Sequence, residues 1–341
     1  MAVKEINLLC IGNALVDVFI REEEILPQST HVQHVEMEKL TGILGALSDS
    51  RSAAIGSGGG AANTAKIAGL LGEKVCFTGA IGQNSNKSAR PDKYGQIFTE
   101  DLAAAGVELK LILKPRPTGV CLYIKTGEET RIAAAPSAAL DFSESDISAD
   151  EIRRAGIVLI DGFMLGRQNL VRRILNLAGS EGAVAAMDLG SAAIAFEHAA
   201  EIAAYIKQYP MIISMNEEEA KALYRGIKNK EGCVTDINML FSSITSGGIF
   251  PIITVTHGPE GASCFSRGIM DRASAQAIIP TESTGAGNAF FAAFLCAWTR
   301  NKPLRDCADF GNRTARLVLN TAGTQVDGND FNDLAGELKK K

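Results

Sequence analysis

Short apolar runs alternate with helix-like stretches along almost the entire chain of 341 residues, and this alternation restricts the fold more than any other feature. Parallel strands are buried on both faces, so they read as continuous apolar runs, and helices usually join them. The alternation therefore predicts an α/β fold with a mainly parallel central sheet flanked by helices on both faces. The predicted strands are residues 8–12, 75–79, 157–161, 183–188, 211–215 and 252–256. The predicted helices are residues 61–71, 95–105, 170–177, 217–224 and 289–299.

Two regions depart from this rhythm and predict a small β layer. Residues 18–50 are largely polar, and residues 115–136 hold two alternating stretches, 118–125 and 130–134, joined by a turn-prone Thr-Gly-Glu-Glu segment. The second region is typical of a β-hairpin. We expect one α/β domain over residues 1–341, with both regions inserted as a β lid above the active site. A surface segment with no functional role would have the same sequence pattern.

Composition and charge argue against several classes of protein. Hydrophobic residues make up 46% of the chain, charged residues 21%, and the net charge is -5, which disfavours a nucleic-acid or membrane surface. No apolar run reaches the roughly 18 residues of a membrane span, and the N-terminal apolar run is too short for a secretory signal. The seven cysteines form no CxxC pair, and the four histidines have no metal-binding spacing. These features predict a cytoplasmic protein with buried free thiols.

The first candidate site lies between the first predicted strand and the first predicted helix. Asp17 closes the segment Gly-Asn-Ala-Leu-Val-Asp that leaves the strand, where a carboxylate can accept hydrogen bonds from substrate hydroxyls or simply stabilise a turn. Three glycines, Gly58 to Gly60, precede the helix and allow close approach of a ligand to the backbone. The spacing Gly56-x-Gly58-x-x-Ala61 also matches a dinucleotide fingerprint. It does not follow the first strand and lacks the later acidic residue, which disfavours an oxidoreductase.

Two further motifs follow predicted strands and each allows two interpretations. Asn216 to Glu219 has the pattern of a capping box, and the same amide and carboxylate could sit near phosphate-bound Mg²⁺ through water. The glycine-bearing segment from Thr256 to Gly261 fits the nucleotide side of a site and also an ordinary turn. We expect no catalytic role for His257.

The most informative motif runs from Glu282 to Phe294, where small residues precede an apolar helix. Backbone N–H groups of residues 285–288, at the positive end of the helix dipole, would form a cradle for developing negative charge. Gly285 and Gly287 lack the Cβ atoms that would obstruct a phosphoryl group, and we expect Asn288 or a neighbour to cap the helix. The chain contains no GxxxxGK[ST] motif, so a P-loop mechanism is excluded.

In this order the motifs resemble the ribokinase or PfkB carbohydrate kinase family, from Gly12 to about Gln325. The signature regions are residues 58–63 and 283–287, and the opening segment is similar to the branch that includes adenosine kinases. The resemblance implies a kinase that transfers the γ-phosphoryl group of ATP to a hydroxyl of a sugar or nucleoside. It also implies Mg²⁺ and a monovalent cation such as K⁺. A homodimer formed through exposed lid strands and a monomer are both open. A non-phosphorylated acceptor is favoured, since no Lys or Arg is assigned to a substrate phosphate, although Arg131 in the predicted hairpin could reach one.

The resemblance also assigns roles to individual residues. The substrate-binding residues would be Asp17, Gly59, Gly60 and Asn63, and the anion hole would be Gly285, Ala286 and Gly287. The nucleotide-binding residues would be Asn216, Thr256, Gly258 and Asn312, and Asn216 and Glu219 would place Mg²⁺ through water. Residues 312–325 resemble the side of the site that holds the adenine and the monovalent cation.

Two positions depart from the family pattern. Asn288 occupies the place of the Asp that takes the proton from the acceptor hydroxyl, and an amide has no basic lone pair at neutral pH. General-base catalysis contributes about 10²–10⁴ in rate, so we expect retained binding and weak turnover. A catalytically inert nucleotide- or sugar-binding member of the same fold is the alternative. Polar residues 83–92 are inserted where the family continues directly, and we expect an exposed loop near the substrate entrance.

Overall fold

The computed structural model describes residues 4–21, 33–34, 36–38, 40, 42, 54–85, 88–126, 129–246, 251–278, 284–320 and 328–339. The strands are β1 Ile6–Ile11, β2 Leu15–Arg21, β3 Gln33–His34, β4 Ala54–Gly58, β5 Val75–Ser85, β6 Ser88–Pro91, β7 Glu108–Lys114, β8 Thr118–Thr126, β9 Glu129–Ser137, β10 Ala155–Asp161, β11 Val184–Asp188, β12 Met211–Asn216, β13 Ile252–Thr256, β14 Ala262–Ser266 and β15 Ile269–Ala273. The α-helices with fully described bounds are α1 Gly60–Leu70, α2 Lys93–Ala104, α3 Ala149–Arg154, α4 Gln168–Ser180, α5 Ala192–Glu197, α6 Ala199–Gln208, α7 Glu217–Lys228, α8 Val234–Thr245, α9 Ala286–Trp298, α10 Leu304–Leu319 and α11 Asn332–Lys339.

Ten strands form the central sheet, in the order β15-β14-β13-β12-β11-β10-β1-β5-β6, with β7 also paired to β5. The pairs from β13 to β5, and the pair of β5 with β7, are parallel. Antiparallel partners stand at both edges, namely β14 and β15 on one side and β6 on the other. All six predicted strands lie in this sheet, so the mainly parallel α/β fold is confirmed.

Helices cover both faces of the sheet because successive side chains of each central strand are buried on opposite sides. Leu8 and Cys10 of β1 join a core built with α1, α9 and α10, whereas Leu9 and Ile11 join a second core built with α4, α6 and α7. All four side chains are at most 2% exposed. Burial on both faces is the physical reason for the continuous apolar runs in the sequence.

A second sheet of five strands has the order β3-β9-β8-β2-β4. The predicted hairpin is confirmed as the antiparallel pair β8 and β9, which extends to Ser137. Val16 and Val120 of this sheet are fully buried in the core that contains α1. The side chains of the next residues, Asp17 and Cys121, line a cavity. Most of the polar region 18–50 lies outside the described residues.

The inserted residues 83–92 do not form the expected loop. They continue β5 and return as β6, so that Gln83 pairs with Pro91 in an antiparallel hairpin. Pairing satisfies the backbone groups that a polar segment at a sheet edge would otherwise leave to water. Asp92 then caps α2 by accepting from Gly95 N at 2.7 Å. The described part of this hairpin is not among the residues that line the two cavities described below.

The cysteines are free, and six of the seven are buried as expected. Cys233 is exposed, so the expectation of burial is wrong there; it stands at the N-terminus of α8, outside the apolar runs. Among the described residues, no helix is both long and apolar enough to cross a membrane.

Candidate active site

Polar residues stand at or near the carboxyl ends of four neighbouring parallel strands. Asp161 ends β10, Asp188 ends β11, Asn216 ends β12 and Thr256 ends β13. Asp161 is the register partner of Asp188, and Asn216 is the register partner of Thr256. The carboxyl ends of parallel strands share one edge of the sheet, so these groups form a row where ligands of open α/β sheets bind.

A cavity of about 250 Å³ lies between this edge and the five-stranded sheet. All four residues that the resemblance assigns to substrate binding line it, namely Asp17, Gly59, Gly60 and Asn63. Asp161, Asp188 and Asn288 complete its polar side. Its apolar side consists of Leu15, Cys121, Tyr123, Ile132, Ala134, Pro136 and Phe163. We refer to it as the acceptor cavity.

Several buried polar atoms in the acceptor cavity lack a hydrogen-bond partner within the described part of the chain. They are both carboxyl oxygens of Asp17, Oδ1 of Asn63 and Oδ1 of Asp161. Burial raises the pKa of Asp17 to about 8, against the opposing effects of the Lys66 charge and the Asn63 amide. Buried polar groups are normally satisfied, so this group of atoms indicates a site for a polar ligand.

The glycine segment before α1 is held in a conformation that side chains would disrupt. Gly59 has φ of 101°, and a Cβ atom there would lie 2.2 Å from the carbonyl oxygen of Asn13. A Cβ atom on Gly58 would lie 2.0 Å from Oδ1 of Asp17. The glycines therefore allow the start of α1 to approach the first strand and the Asp17 carboxyl closely. Ala61 N donates to Asp161 Oδ2 at 3.2 Å, which satisfies one free group of the helix terminus.

The N-terminus of α9 lies between the acceptor cavity and a second cavity. Thr284 and Gly285 line the acceptor cavity, while Ala286 and Gly287 line the second one. Gly285 is the N-cap with φ of 85° and provides no side-chain cap, so within the described residues no side chain caps the first N–H groups, which can face a ligand. A Cβ atom on Gly287 would meet nothing within 4 Å, which leaves room for a phosphoryl group.

Asn288 does not cap α9; its neighbour Gly285 is the N-cap, in line with the second part of the expectation. Its side chain lies one turn inside the helix, and Nδ2 donates to Asp188 Oδ2 at 2.8 Å. Asp188 is buried, and burial together with the nearby carboxylates Glu219 and Asp161 raises its pKa well above the ordinary value. Position 288 in α9, where the resemblance places the base, therefore contacts the Asp188 carboxylate at the end of β11.

The second cavity has a volume of about 620 Å³, and we refer to it as the nucleotide cavity because it contains all the residues that the resemblance assigns to the nucleotide. Asn216, Thr256, Gly258 and Asn312 line it, together with Ala286 and Gly287. Asn312 Nδ2 donates to the carbonyl oxygen of Ala273 at 3.1 Å, which orients the amide at the wall. Residues 321–327, including the Gly-Thr-Gln segment assigned to the adenine and monovalent-cation side, lie outside the described residues.

The Asn216–Glu219 motif forms the capping box of α7. Glu219 N donates to Asn216 Oδ1 at 2.9 Å, and Asn216 N and Nδ2 donate to the Glu219 carboxylate at 3.0 Å each. Asn216 faces the nucleotide cavity, whereas Glu219 is only 5% exposed and is not one of its lining residues. Burial raises the pKa of Glu219. In the described part of the chain, no three acidic, His or Cys side chains are arranged to hold a metal ion.

The cavity residues that were not identified from the sequence include Asp161, Asp188 and Phe163. Asp161 and Asp188 end predicted strands, so the rule that ligands bind at the carboxyl ends of strands could have identified them. Phe163 follows Asp161 and is 40% exposed at the apolar side of the acceptor cavity. No local pattern distinguishes this aromatic residue from the aromatic residues of the core.

Comparisons with known proteins identify the family of the chain. A model of the "pfkB family carbohydrate kinase" matches residues 6–330. Adenosine kinase 2 of Arabidopsis thaliana is 24% identical over 294 residues, which cover 81% of this chain and 82% of the relative. A 5-dehydro-2-deoxygluconokinase of Clostridium perfringens is 25% identical, with 80% and 81% covered.

The fold is also that of solved structures. Adenosine kinase from Schistosoma mansoni, in complex with 2-fluoroadenosine, superposes with a TM-score of 0.83 at 17% identity and covers 96% of this chain and 99% of that one. At such identity the likeness concerns the fold, and the family assignment depends on the sequence match. Since the family model matches nearly the whole sequence, the chain belongs to the pfkB family of carbohydrate kinases.

Proposed function

We propose that this chain is an ATP-dependent phosphotransferase that moves the γ-phosphoryl group to a hydroxyl of an uncharged nucleoside or sugar. The observation that carries the proposal is the position of residues 285–288. Gly285 and Asn288 line the acceptor cavity, whereas Ala286 and Gly287 line the nucleotide cavity. A phosphoryl group in transfer would lie against the free N–H groups at the start of α9. The membership of the pfkB family supports the same reaction class.

The charge of the acceptor cavity supports a neutral acceptor. Its described lining contains Asp17, Asp161 and Asp188 and no Lys or Arg. A phosphate or carboxylate on the acceptor would therefore be buried there without a cation to neutralise it. Of the two kinds of relative compared above, the adenosine kinase acts on an uncharged substrate and the gluconokinase on an acid, so the cavity favours the nucleoside. Its apolar side, with Tyr123 and Phe163, would suit a planar base.

Each residue group would have a distinct task in the reaction. Asp17 and Asn63 would accept hydrogen bonds from the acceptor hydroxyls, which would satisfy the orphaned oxygens. The N–H groups of Gly285 to Gly287 would stabilise the charge that develops on the phosphoryl oxygens. The five-stranded sheet would act as the lid of a single domain and exclude water.

The nucleotide side would require Mg²⁺, and the residues present are compatible with it. Asn216 presents an amide to the cavity, and the buried Glu219 carboxylate behind it can hold an ordered water but has no open face for direct contact. When bound, Mg²⁺ would neutralise charge on the β- and γ-phosphates. We also propose a K⁺ requirement, a cytoplasmic location and a homodimer through the lid, all on the family resemblance.

Asn288 is the feature that favours the alternative, a catalytically inert binding protein. Its amide can orient the acceptor hydroxyl but cannot take the proton. If no other group accepted that proton, the rate would fall by about 10²–10⁴. The two cavities that meet at an open helix N-terminus favour the kinase.

The test is coupled ADP release with Mg²⁺ and K⁺ over a panel of nucleosides, neutral sugars and sugar acids. We would compare the chain with its Asn288→Asp variant and with an Asp17→Asn control. Turnover of one neutral acceptor by either of the first two proteins, lost in the control, supports the proposal. If neither protein phosphorylates any acceptor while both bind ATP in a titration, the inert binding protein is the better account.

A further inference from the structure

The Asp188 carboxylate, at the end of β11, contacts the side chain of Asn288 in α9. Asp188 is the last residue of β11, is 8% exposed and lines the acceptor cavity beside Asn288. Its Oδ2 atom accepts from Asn288 Nδ2 at 2.8 Å across 100 residues of sequence. A hydroxyl within hydrogen-bond reach of the Asn288 amide would therefore lie close to this carboxylate as well.

We propose that Asp188 accepts the proton of the acceptor hydroxyl in this chain, with Asn288 as the hydrogen-bond donor that holds its carboxylate in place. This inference rests on the proposed kinase function. The hydroxyl O–H bond would break as its oxygen bonds to the γ-phosphorus, and the proton would pass to Asp188. The bond between the γ-phosphorus and the bridging oxygen would break, and its electron pair would leave with ADP.

The surroundings of Asp188 suit a base. Two further carboxylates, Glu219 and Asp161, act on it, and the described lining of the cavity offers no cation that would hold the carboxylate as an ion pair. Burial and these charges raise its affinity for a proton, and a group that binds a proton more tightly is a stronger base once it is ionised. The Asn288 amide donates a hydrogen bond that stabilises the ionised Asp188 carboxylate, so Asp188 can still lose its proton and act as a base.

The other two aspartates of the acceptor cavity have different positions. Asp17 belongs to β2 of the five-stranded sheet, whereas Asp188 belongs to the central sheet. Asp161 holds the N-terminus of α1, because its Oδ2 atom accepts from Ala61 N at 3.2 Å. Within the described residues, Asp188 is the carboxylate that contacts the side chain at position 288.

The experiment compares four proteins: the chain itself, Asp188→Asn, Asn288→Asp, and the double variant Asp188→Asn/Asn288→Asp. The double variant exchanges the two side chains, so it keeps one carboxylate, one amide and a hydrogen bond between them. Acceptor-dependent kcat is measured with ATP and the best acceptor of the panel, together with the ATP dissociation constant and the Mg²⁺ dependence. Far-UV circular dichroism reports whether each protein is folded.

We expect Asp188→Asn to lower kcat by about 10² or more, with the ATP dissociation constant within about threefold, because the base is lost and the nucleotide cavity is unchanged. The exchange variant should recover kcat to within about tenfold of the original chain. Since the exchange variant is a second protein with the same groups, the proposal stays testable even where Asp188→Asn does not fold.

Three results would overturn the proposal while leaving the kinase function in place. One is a kcat of Asp188→Asn within about threefold of the original, especially with a large gain in Asn288→Asp. Another is a loss that excess Mg²⁺ restores, which would make Asp188 a metal-positioning residue. The third is a loss that the exchange variant does not recover although it is folded. Absence of turnover in all four proteins, with ATP still bound, would instead contradict the proposed function itself.

Discussion

At the scale of single residues, the acceptor cavity keeps polar groups in an unfavourable state until a ligand arrives. Both carboxyl oxygens of Asp17 are buried without partners in the described part of the chain, and burial raises the pKa of this group to about 8. Such a group costs stability that the rest of the fold must supply. A cavity of this kind is typical of a binding site, where hydroxyl donors of the ligand replace the missing hydrogen bonds.

The Asp17→Asn variant should be more stable than the original chain at pH 8 and should lose acceptor phosphorylation. The folded protein binds the Asp17 proton more tightly than the unfolded chain, so the free energy of unfolding falls as pH rises from about 4 to about 8. The amide removes this dependence, with an expected difference of about 2–5 kcal/mol at pH 8 and little at pH 4. Urea unfolding across this pH range measures it.

The quantity to compare is the difference in the free energy of unfolding between the two proteins at each pH. Asp161 and Asp188 contribute their own pH dependence to both proteins, so this contribution cancels in the difference. A difference that does not change between pH 4 and pH 8 would show that Asp17 is charged in the folded protein. Retained phosphorylation in the variant would remove Asp17 from the acceptor site.

At the scale of secondary-structure elements, helix termini provide much of the site. The start of α9 is left without a side-chain cap at Gly285, whereas α7 has a full capping box between Asn216 and Glu219. An open N-terminus can bind an anion, and a capped one holds its own N–H groups. The two helices therefore serve different purposes, although both begin directly at the nucleotide cavity.

Asn216→Ala should lower both stability and ATP affinity. Loss of the N-cap costs about 1 kcal/mol of stability, and loss of one polar contact with the nucleotide should weaken ATP binding about five- to tenfold. Ser191→Ala is the matched control, because Ser191 Oγ accepts from Ile194 N at 3.2 Å and caps α5 outside both cavities. Urea unfolding and ATP titration of both variants make the comparison.

The control should lose a similar amount of stability and keep its ATP affinity. Equal ATP affinities in the two variants would mean that Asn216 acts only as a cap. In that case the capping box of α7 would have no role in nucleotide binding.

At the scale of the whole molecule, the core beneath the two sheets is continuous. Val16 and Val120 of the five-stranded sheet belong to the same hydrophobic cluster as Leu8 of the central sheet and Phe290 of α9. Ligand binding between the sheets would therefore add to the stability of the entire fold. Local unfolding of the five-stranded sheet would open the acceptor cavity, since residues of that sheet line it.

MgATP should raise the free energy of unfolding by about 2.7 kcal/mol when present at about 100 times its dissociation constant. NAD at the same concentration should have no effect, because the glycine motif at residues 56–61 ends β4 of the small sheet and does not follow a parallel strand of the central sheet. Thermal unfolding with each ligand measures both. An equal shift of the melting temperature with NAD would contradict the assignment of the nucleotide cavity.

The local pattern of the sequence was sufficient for the central strands, the β8–β9 hairpin and the class of fold. Apolar runs such as residues 157–161 predicted strands because a strand buried on both faces has few polar side chains. The small residues before Phe290 predicted an open helix start for the same kind of local reason, as glycine leaves space and conformational freedom. The family resemblance then named residues that the structure places in two cavities, and their tasks remain proposals.

Only the tertiary structure decided which of these groups meet. The hydrogen bond between Asn288 and Asp188 joins residues 100 apart, and it depends on the order of the strands, which periodicity does not report. Gly285, with φ of 85°, is the N-cap, and the Asn288 amide contacts Asp188 instead of the helix terminus. Residues 83–92 became a hairpin because β5 supplied an edge to pair with. Local sequence reports burial and conformational preference, whereas contact between distant side chains follows from strand order, register and helix placement.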